Sequence, residues 1–305
     1  MQGGIRFNSI STFLKGQFGR KTVKLSIDAG FTCPNRDGTC GYGGCAFCSG
    51  DGSGELASHI DSTHDFEQSI SEQIETLSEK WPDAAYLAYF QSHTNTYGPV
   101  SELRRKYYTA LDDPRIEGIV IATRPDCLGD DVLDLLDEIN QSHFMWVELG
   151  LQTIHSATSE AMGIGYDLQI YDRAVRELTR RNIRVVTHLI LGLPGETEEM
   201  MLESVRYVCR SDIFGIKLHL MNVVRTSRLY QMMPDYVPFG SIEEYVDLVI
   251  RCLEIIPPEI TIHRLTGDVP RKLLIAPEWS YRKRTILNMI NSELALRNTC
   301  QGAAL

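Results

Sequence analysis

Val23-Lys-Leu-Ser-Ile-Asp-Ala29 alternates apolar and polar residues as a first strand does. It leads into Phe31-Thr-Cys-Pro-Asn-Arg-Asp-Gly-Thr-Cys-Gly-Tyr-Gly-Gly-Cys-Ala-Phe-Cys48, a loop carrying Cys33, Cys40, Cys45 and Cys48. Cys45-x-x-Cys48 sets two thiolates on one side of a single turn, and Cys33 closes a ring from the far end. A cube of four irons takes one thiolate per iron, so a loop that supplies three leaves one iron open to a ligand that is not protein. Gly38, Gly41, Gly43 and Gly44 let the backbone turn tightly around a bulky guest. With Cys40 counted, four cysteines also suit a tetrahedral zinc site, and reduced thiols without metal are a third reading.

Outward from this strand and loop, the order of elements repeats. Strand patterns recur at Ala85–Phe90, Gly118–Thr123, Met145–Leu151, Ile183–Leu191, Gly215–Met221 and Glu259–Leu265. Helical patterns fall between or after them at Asp65–Lys80, Asp130–Ile139, Leu168–Arg181, Thr197–Cys209, Ile242–Ile255 and Trp279–Leu296. Alternation of this kind predicts an α/β fold with a parallel sheet and right-handed crossovers, either doubly wound or a full or partial barrel. Chemistry in such folds gathers at the C-terminal ends of strands. Here those ends carry the cysteine loop, Gln91–Tyr97, Thr123–Asp126, Glu148–Gln152, Gly192–Glu196, His219, and Arg264 with Asp268. Polar or glycine-rich signatures at seven consecutive strand ends are more than a plain scaffold needs.

Bulk composition bounds the class. The 305 residues are enough for one barrel, and 43% hydrophobic with 23% charged residues is ordinary for a globular enzyme. Eight scattered cysteines without a disulfide framework, no signal-like N-terminus and no membrane-length apolar run predict a cytoplasmic protein with no membrane partner. A net charge of −10 argues against general nucleic-acid binding but leaves room for a local basic face. The clusters at 104–106, 180–184, 271–272 and 282–284 are the candidates, with solvated helix faces as the plain alternative.

Individual residues weigh differently. Glu148 sits in the apolar run Trp-Val-Glu-Leu-Gly, where a carboxylate costs several kcal/mol unless paired or liganded. Gln91 and Gln152 offer hydrogen bonds at strand ends, for a ligand or for loop closure. His188 and His219 lie in strand runs, where satisfaction by hydrogen bonds is the ordinary state. Gly192-Leu-Pro-Gly-Glu196 suits a tight turn or close backbone approach to a small ligand. Cys127, Cys209, Cys252 and Cys300 read as ordinary thiols.

Taken together, the loop, Glu148, Gln152 and Gly192–Glu196 resemble a radical S-adenosylmethionine (SAM) enzyme. The C-x11-C-x2-C spacing of Cys33, Cys45 and Cys48 resembles the elongator-like branch, and within it the YhcC/YtqA-type (MnmL-like) family. Phe-Thr-Cys-Pro-Asn-Arg-Asp-Gly (31–38), Thr-Asn-Thr-Tyr (94–97), Thr-Arg-Pro-Asp (123–126), Glu-Leu-Gly-Leu-Gln (148–152), Lys-Leu-His-Leu (217–220), Arg-Leu-Thr-Gly-Asp (264–268) and Leu-Ile-Ala-Pro-Glu-Trp-Ser (274–280) carry the likeness. Cys40 falls outside the family's three-cysteine pattern.

The resemblance implies a partial (β/α)6 barrel with a C-terminal extension: an N-terminal segment 1–21, a core 22–225, and an extension 226–305 that closes the barrel on the substrate side. It implies a [4Fe–4S] cluster on Cys33, Cys45 and Cys48, with SAM on the fourth iron, cleaved by one electron to a 5′-deoxyadenosyl radical. It further implies that Phe47, Gln91, Glu148, Gln152, Ile190, Gly192 and Leu220 surround SAM, with Phe47 on the adenine and Glu148 on the ribose hydroxyls. Arg124, His219, Arg264, Asp268, Arg271, Lys272, Arg282, Lys283 and Arg284 fall on the substrate side. The expected substrate is tRNA, whose wobble uridine would pass from carboxymethylaminomethyl to aminomethyl at C5. A flavodoxin or ferredoxin would supply the electron and a methyltransferase would act downstream. Two other readings stay open: a zinc-stabilised RNA-binding or adaptor protein, and an iron–sulfur electron carrier that needs no SAM.

Overall fold

The computed structural model describes residues 4–49, 58–59 and 66–305. Its strands are β1 (Thr22–Asp28), β2 (Ser58–His59), β3 (Ala85–Phe90), β4 (Ile116–Thr123), β5 (Phe144–Gln152), β6 (Arg184–Leu191), β7 (Gly215–Leu220), β8 (Val223–Val224), β9 (Thr261–Arg264) and β10 (Leu274–Ala276). Its helices are α1 (Ile10–Phe18), α2 (Phe66–Ser78), α3 (Val100–Leu111), α4 (Asp130–Ser142), α5 (Ser156–Ala161), α6 (Leu168–Thr179), α7 (Glu198–Val208), α8 (Arg228–Met232), α9 (Ile242–Ile255) and α10 (Lys283–Leu296).

One parallel sheet runs β2-β1-β3-β4-β5-β6-β7-β9. The order follows the chain from β1 onward, with no reversal. A doubly wound sheet reverses its strand order at a switch point, so this one is a curled, partial barrel. Crossover helices cover its outer face. Leu25 and Ile27 of β1, Ile70 and Ile74 of α2, Leu103 and Tyr107 of α3 and Leu133 and Leu136 of α4 belong to that outer core. The inner face has its own core, in which Leu14 of α1 joins Leu87, Tyr89, Val120, Ala122, Trp146 and Val186. α1 also lies against β1 and β9, near the two ends of the sheet, so it plugs the bottom of the half-barrel. Ser9 caps that helix through Thr12 N and bridges to Ile262 of β9.

The sheet continues past residue 225, because β9 pairs in parallel with β7. β10 then pairs antiparallel with β8 and returns the chain to the end of β7. Gln301 ties the two ends of the chain together: its Oε1 accepts from Asn8 N at 2.8 Å, and its Nε2 donates to the carbonyls of Pro257 at 2.6 Å and Ile260 at 2.8 Å. Among the described residues no helix is long and apolar enough to cross a membrane.

All seven strand patterns of the sequence are present, each within about two residues. The expected helix at 65–80 spans Phe66–Ser78, and Asp65 lies outside the described residues. The expected helix 279–296 divides into a 3-10 turn at Glu278–Tyr281 and α10. Periodicity missed α1, α3, α5 and α8. In α3 the run Arg104-Arg105-Lys106 masks the apolar stripe of Leu103, Tyr107, Ala110 and Leu111.

Candidate functional site

A cavity of about 310 Å³ opens at the C-terminal ends of the strands. It lies in the low part of the range for small-molecule sites. Cys33, Cys45 and Cys48 all line it, and Cys40 does not. Cys40 is exposed, Cys45 is buried, and none of these cysteines is in a disulfide.

The cysteine loop is pinned from both sides. Asn35 Nδ2 donates to Cys45 Sγ at 3.3 Å and to the carbonyls of Gly163 at 2.6 Å and Ile164 at 3.1 Å. Arg228 Nη1 reaches Gly44 O at 3.0 Å, and Leu229 N reaches Ala46 O at 2.8 Å. The Thr94–Tyr97 motif stitches this end of the barrel: Asn95 Nδ2 donates to Ala122 O at 2.8 Å, Thr94 N bonds Thr32 O, and Tyr97 Oη meets Thr39 Oγ1 at 2.7 Å. The hydrogen bond with Cys48 leads in drawing Cys45 down to about 7, against its burial and with help from Asn35. The same bond, with burial, pushes Cys48 well up. Among the described residues no three His, Cys, Asp or Glu side chains are grouped to hold a single metal ion. Three converging thiols, one of them readily ionised and bonded by an amide, are nevertheless a donor set that suits a cluster larger than one ion.

Beneath the thiols lies a polar layer built by the inward-facing residues of the sheet. Glu148 is wholly buried. Its Oε2 accepts from Tyr89 Oη at 2.7 Å, lies 3.0 Å from His188 Nε2 and is contacted by Lys217 Nζ. Its Oε1 accepts from Trp146 Nε1 at 3.0 Å, with Lys24 Nζ at 3.8 Å. Burial opposes the charge of Glu148, but Lys217, Lys24 and His188 outweigh it and hold the carboxyl well below its usual range. Burial, then Lys217, brings His188 to about 4. The expectation that Glu148 must be paired or liganded is met by pairing, and His188 is satisfied by the same group.

The structure brings most of the other expected residues to this cavity. Phe47, Gln91, Gln152, Ile190, Leu220, Arg124, His219, Arg264 and Asp268 line it. Gln152 holds φ +72°, and a Cβ on Gly150 would stand 2.6 Å from its Nε2, so Gly150 leaves the room in which that amide turns. Arg124 is fixed by Asp126 at 2.9 and 2.7 Å and by Ile164 O at 2.9 Å. Gly192 stands outside the lining. Its carbonyl accepts from Tyr236 Oη at 2.9 Å and a Cβ there would meet Phe239 at 2.6 Å, so it seats the C-terminal part of the chain.

The basic clusters separate. Arg104 pairs with Glu138, Lys106 with Glu102 and Arg181 with Glu177, the ordinary state of solvated helix faces. Arg271, Lys272, Arg282 and Arg284 are exposed. Arg271 and Arg282 flank the ring of Tyr281, at 4.3 and 5.7 Å from its centroid. Lys283 pairs with Asp268 at 2.6 Å. Arg271, Tyr281 and Lys283 border a smaller hollow that shares Asn222, Gly267, Asp268 and Val269 with the main cavity. The sequence reading missed Asn35, Tyr89, Lys24 and Lys217. A lysine in the interior of a strand is the signal that could have found Lys217.

The Radical SAM superfamily matches residues 35–208, and the Radical_SAM C-terminal domain matches residues 213–295. The chain is 44% identical over 298 residues to YtqA of Bacillus subtilis strain 168, spanning 97% of this chain and 92% of that protein. It is 25% identical over 166 residues to the tRNA uridine(34) acetyltransferase of Methanocaldococcus jannaschii, spanning 53% of this chain and 30% of that protein. Among solved structures, the archaeal Methanocaldococcus infernus Elp3 with an N-terminal deletion superposes with a TM-score of 0.66 at 15% identity, over 89% of this chain and 63% of that one, a likeness of fold.

Proposed function

The chain belongs to the radical SAM superfamily, whose members use a [4Fe–4S] cluster and SAM, and from that premise we propose that it converts a carboxymethylaminomethyl group at C5 of a tRNA wobble uridine to aminomethyl, the carboxymethyl carbon being oxidised by two electrons at the expense of SAM and leaving, after addition of water, as glyoxylate. The observation that carries the reading is the joining of two features in one mouth. Three thiols line the cavity, and the smaller hollow that adjoins it through Asn222, Gly267, Asp268 and Val269 is bordered by Arg271, Tyr281 and Lys283. Likeness to an enzyme named for uridine 34 of tRNA supports the substrate.

In this reading Cys33, Cys45 and Cys48 hold the cluster. Bound there, the cluster and SAM would supply one-electron chemistry able to remove a hydrogen atom from the substrate. Asn35 orients the Cys45 sulfur by its amide hydrogen bond. Phe47, Gln91, Gln152, Ile190 and Leu220 form the walls against which SAM is held. Gly192 serves them by seating Tyr236 and Phe239. The oxygens of Glu148 are engaged by Tyr89, Trp146, His188 and Lys217, so its part is to fix the charge of the cavity floor. Arg124, locked by Asp126, shapes the wall. Arg271, Lys272, Arg282 and Arg284 contact phosphates, with Arg271 and Arg282 set against the ring of Tyr281. The division into 1–21, 22–225 and 226–305 assigns that rim to the extension. A low-potential flavodoxin or ferredoxin supplies the electron, and a methyltransferase consumes the product amine. The zinc-adaptor alternative needs Cys40 as a fourth ligand, and Cys40 lies outside the cavity.

The test is nucleoside mass spectrometry of tRNA from cells lacking the protein. Carboxymethylaminomethyluridine should accumulate at the expense of aminomethyl and methylated products. An unaltered profile, with no redundant enzyme present, removes the tRNA reading.

A further inference from the structure

Three arginines line the cavity: Arg36, Arg124 and Arg264. Arg36 donates to Ser49 O at 2.6 Å, and Arg124 is clamped by Asp126. The carboxylates of the lining are taken as well, Glu148 by its buried donors and Asp268 by Lys283. Arg264 differs. It ends β9, is half-buried, and among the described residues its side chain makes no hydrogen bond or ion pair. A guanidinium is charged at all working pH and gives up hydration when partly buried.

Around Arg264, two lysines answer a single buried carboxylate, Glu148. Lys217 is the register partner of Arg264 on β7, and Lys24 lies across the same layer. His219, two residues beyond Lys217 on β7, lines the cavity with its Nε2 buried and without a hydrogen-bond partner. His188 lies 5.0 Å from it, ring to ring. An unpaired guanidinium and an unsatisfied imidazole nitrogen therefore line one cavity from adjacent strands.

We propose that Arg264 and His219 form the receptor for a carboxylate on the substrate. This rests on the function proposed above, and it names the part of that substrate which the cavity reads: the carboxymethyl end of the wobble substituent. A guanidinium fork matches a carboxylate in geometry as well as charge. Substrate and product both carry a protonated amine on this arm and only the substrate adds the carboxylate, so the receptor distinguishes the two by that group and favours release of the product.

The experiment compares binding of two tRNAs to the reconstituted holoenzyme without SAM, one carrying carboxymethylaminomethyluridine and one aminomethyluridine at the wobble position. The wild type should prefer the carboxylated tRNA by about tenfold to a hundredfold. Arg264→Gln should bind the two alike, and Arg264→Lys, which keeps the charge, should retain part of the preference. A preference that survives Arg264→Gln overturns this inference and leaves the proposed function standing. Wild type that binds the two tRNAs alike overturns this inference as well, while the proposed function stands or falls on nucleoside turnover. SAM binding, measured separately, distinguishes the other source of a carboxylate: a loss of SAM affinity in Arg264→Gln with the tRNA preference intact assigns Arg264 to SAM and overturns the substrate role.

Discussion

Lys217 Nζ on β7 donates to Tyr89 Oη on β3 at 2.9 Å. Between those strands in the sheet stand β4, β5 and β6. In a flat sheet they would be roughly 19 Å apart, at about 4.8 Å per strand. A lysine and a tyrosine cannot span that width along the sheet, so the contact exists because the sheet curls. Curvature and polar layer are thus one feature. Glu148, on the middle strand, is the group on which both side chains converge.

Removing one partner of this layer should unfold more than it relaxes. Lys217→Met leaves the carboxylate of Glu148 short of its nearest cation, and a broken buried pair costs about 3–5 kcal/mol. Adding Glu148→Gln should restore part of the loss. Urea unfolding of the single and double variants measures the cycle. A single-variant loss below about 1 kcal/mol would show that the layer is solvated rather than buried.

The layer also sets an acid limit. The folded-state pKa of His188 lies near 4, below its unfolded value near 6.5. Between those values the unfolded chain binds the extra proton, so stability rises with pH there and is lost on acidification from about 6.5 to 4. The shift corresponds to roughly 2–4 kcal/mol, and His219 and His263, also lowered by burial, act in the same direction. Glu148, held low, adds loss only below the usual carboxylate range. Unfolding midpoints at pH 7 and pH 5 should differ, and His188→Asn should narrow the gap. An equal gap in the variant refutes the assignment.

Cys45→Ala should remove the iron of protein purified without oxygen, and Cys40→Ala should keep about four irons per chain. Iron analysis decides it. Equal dependence on both cysteines would mean that Cys40 is a ligand.

Charge reversal at Arg271, Arg282 and Arg284 should weaken tRNA binding and flatten its salt dependence, by roughly 0.7 in logarithmic slope for each phosphate that is no longer neutralised. Reversal at Arg104, which already pairs with Glu138, should change neither. Filter binding across a salt series is the measurement. Equal effects at both places would mean a diffuse field rather than a binding rim.

The alternation of strand and helix, and the cysteine loop at the end of the first strand, were legible because they depend on local pattern. Local pattern left an open sheet and a barrel both standing, because curvature depends on which side chains meet across strands; the partial barrel came from the family resemblance, and the structure has it. Glu148 shows the limit: its need for a partner followed from the apolar run around it, but Lys217, sixty-nine residues on, could be identified only once the sheet had curled. Arg264 illustrates the same limit from the other side. Its place at a strand end was readable, but its lack of a partner shows only when the ion pairs of Arg124 and Asp268 are known.

The most direct measurement supplies the reconstituted protein, without oxygen, with SAM, a chemical reductant and tRNA bearing carboxymethylaminomethyluridine, and analyses nucleosides and 5′-deoxyadenosine together. The account predicts that aminomethyluridine appears as carboxymethylaminomethyluridine disappears, only when SAM and reductant are both present. SAM cleavage to 5′-deoxyadenosine with the tRNA nucleosides unchanged would contradict it.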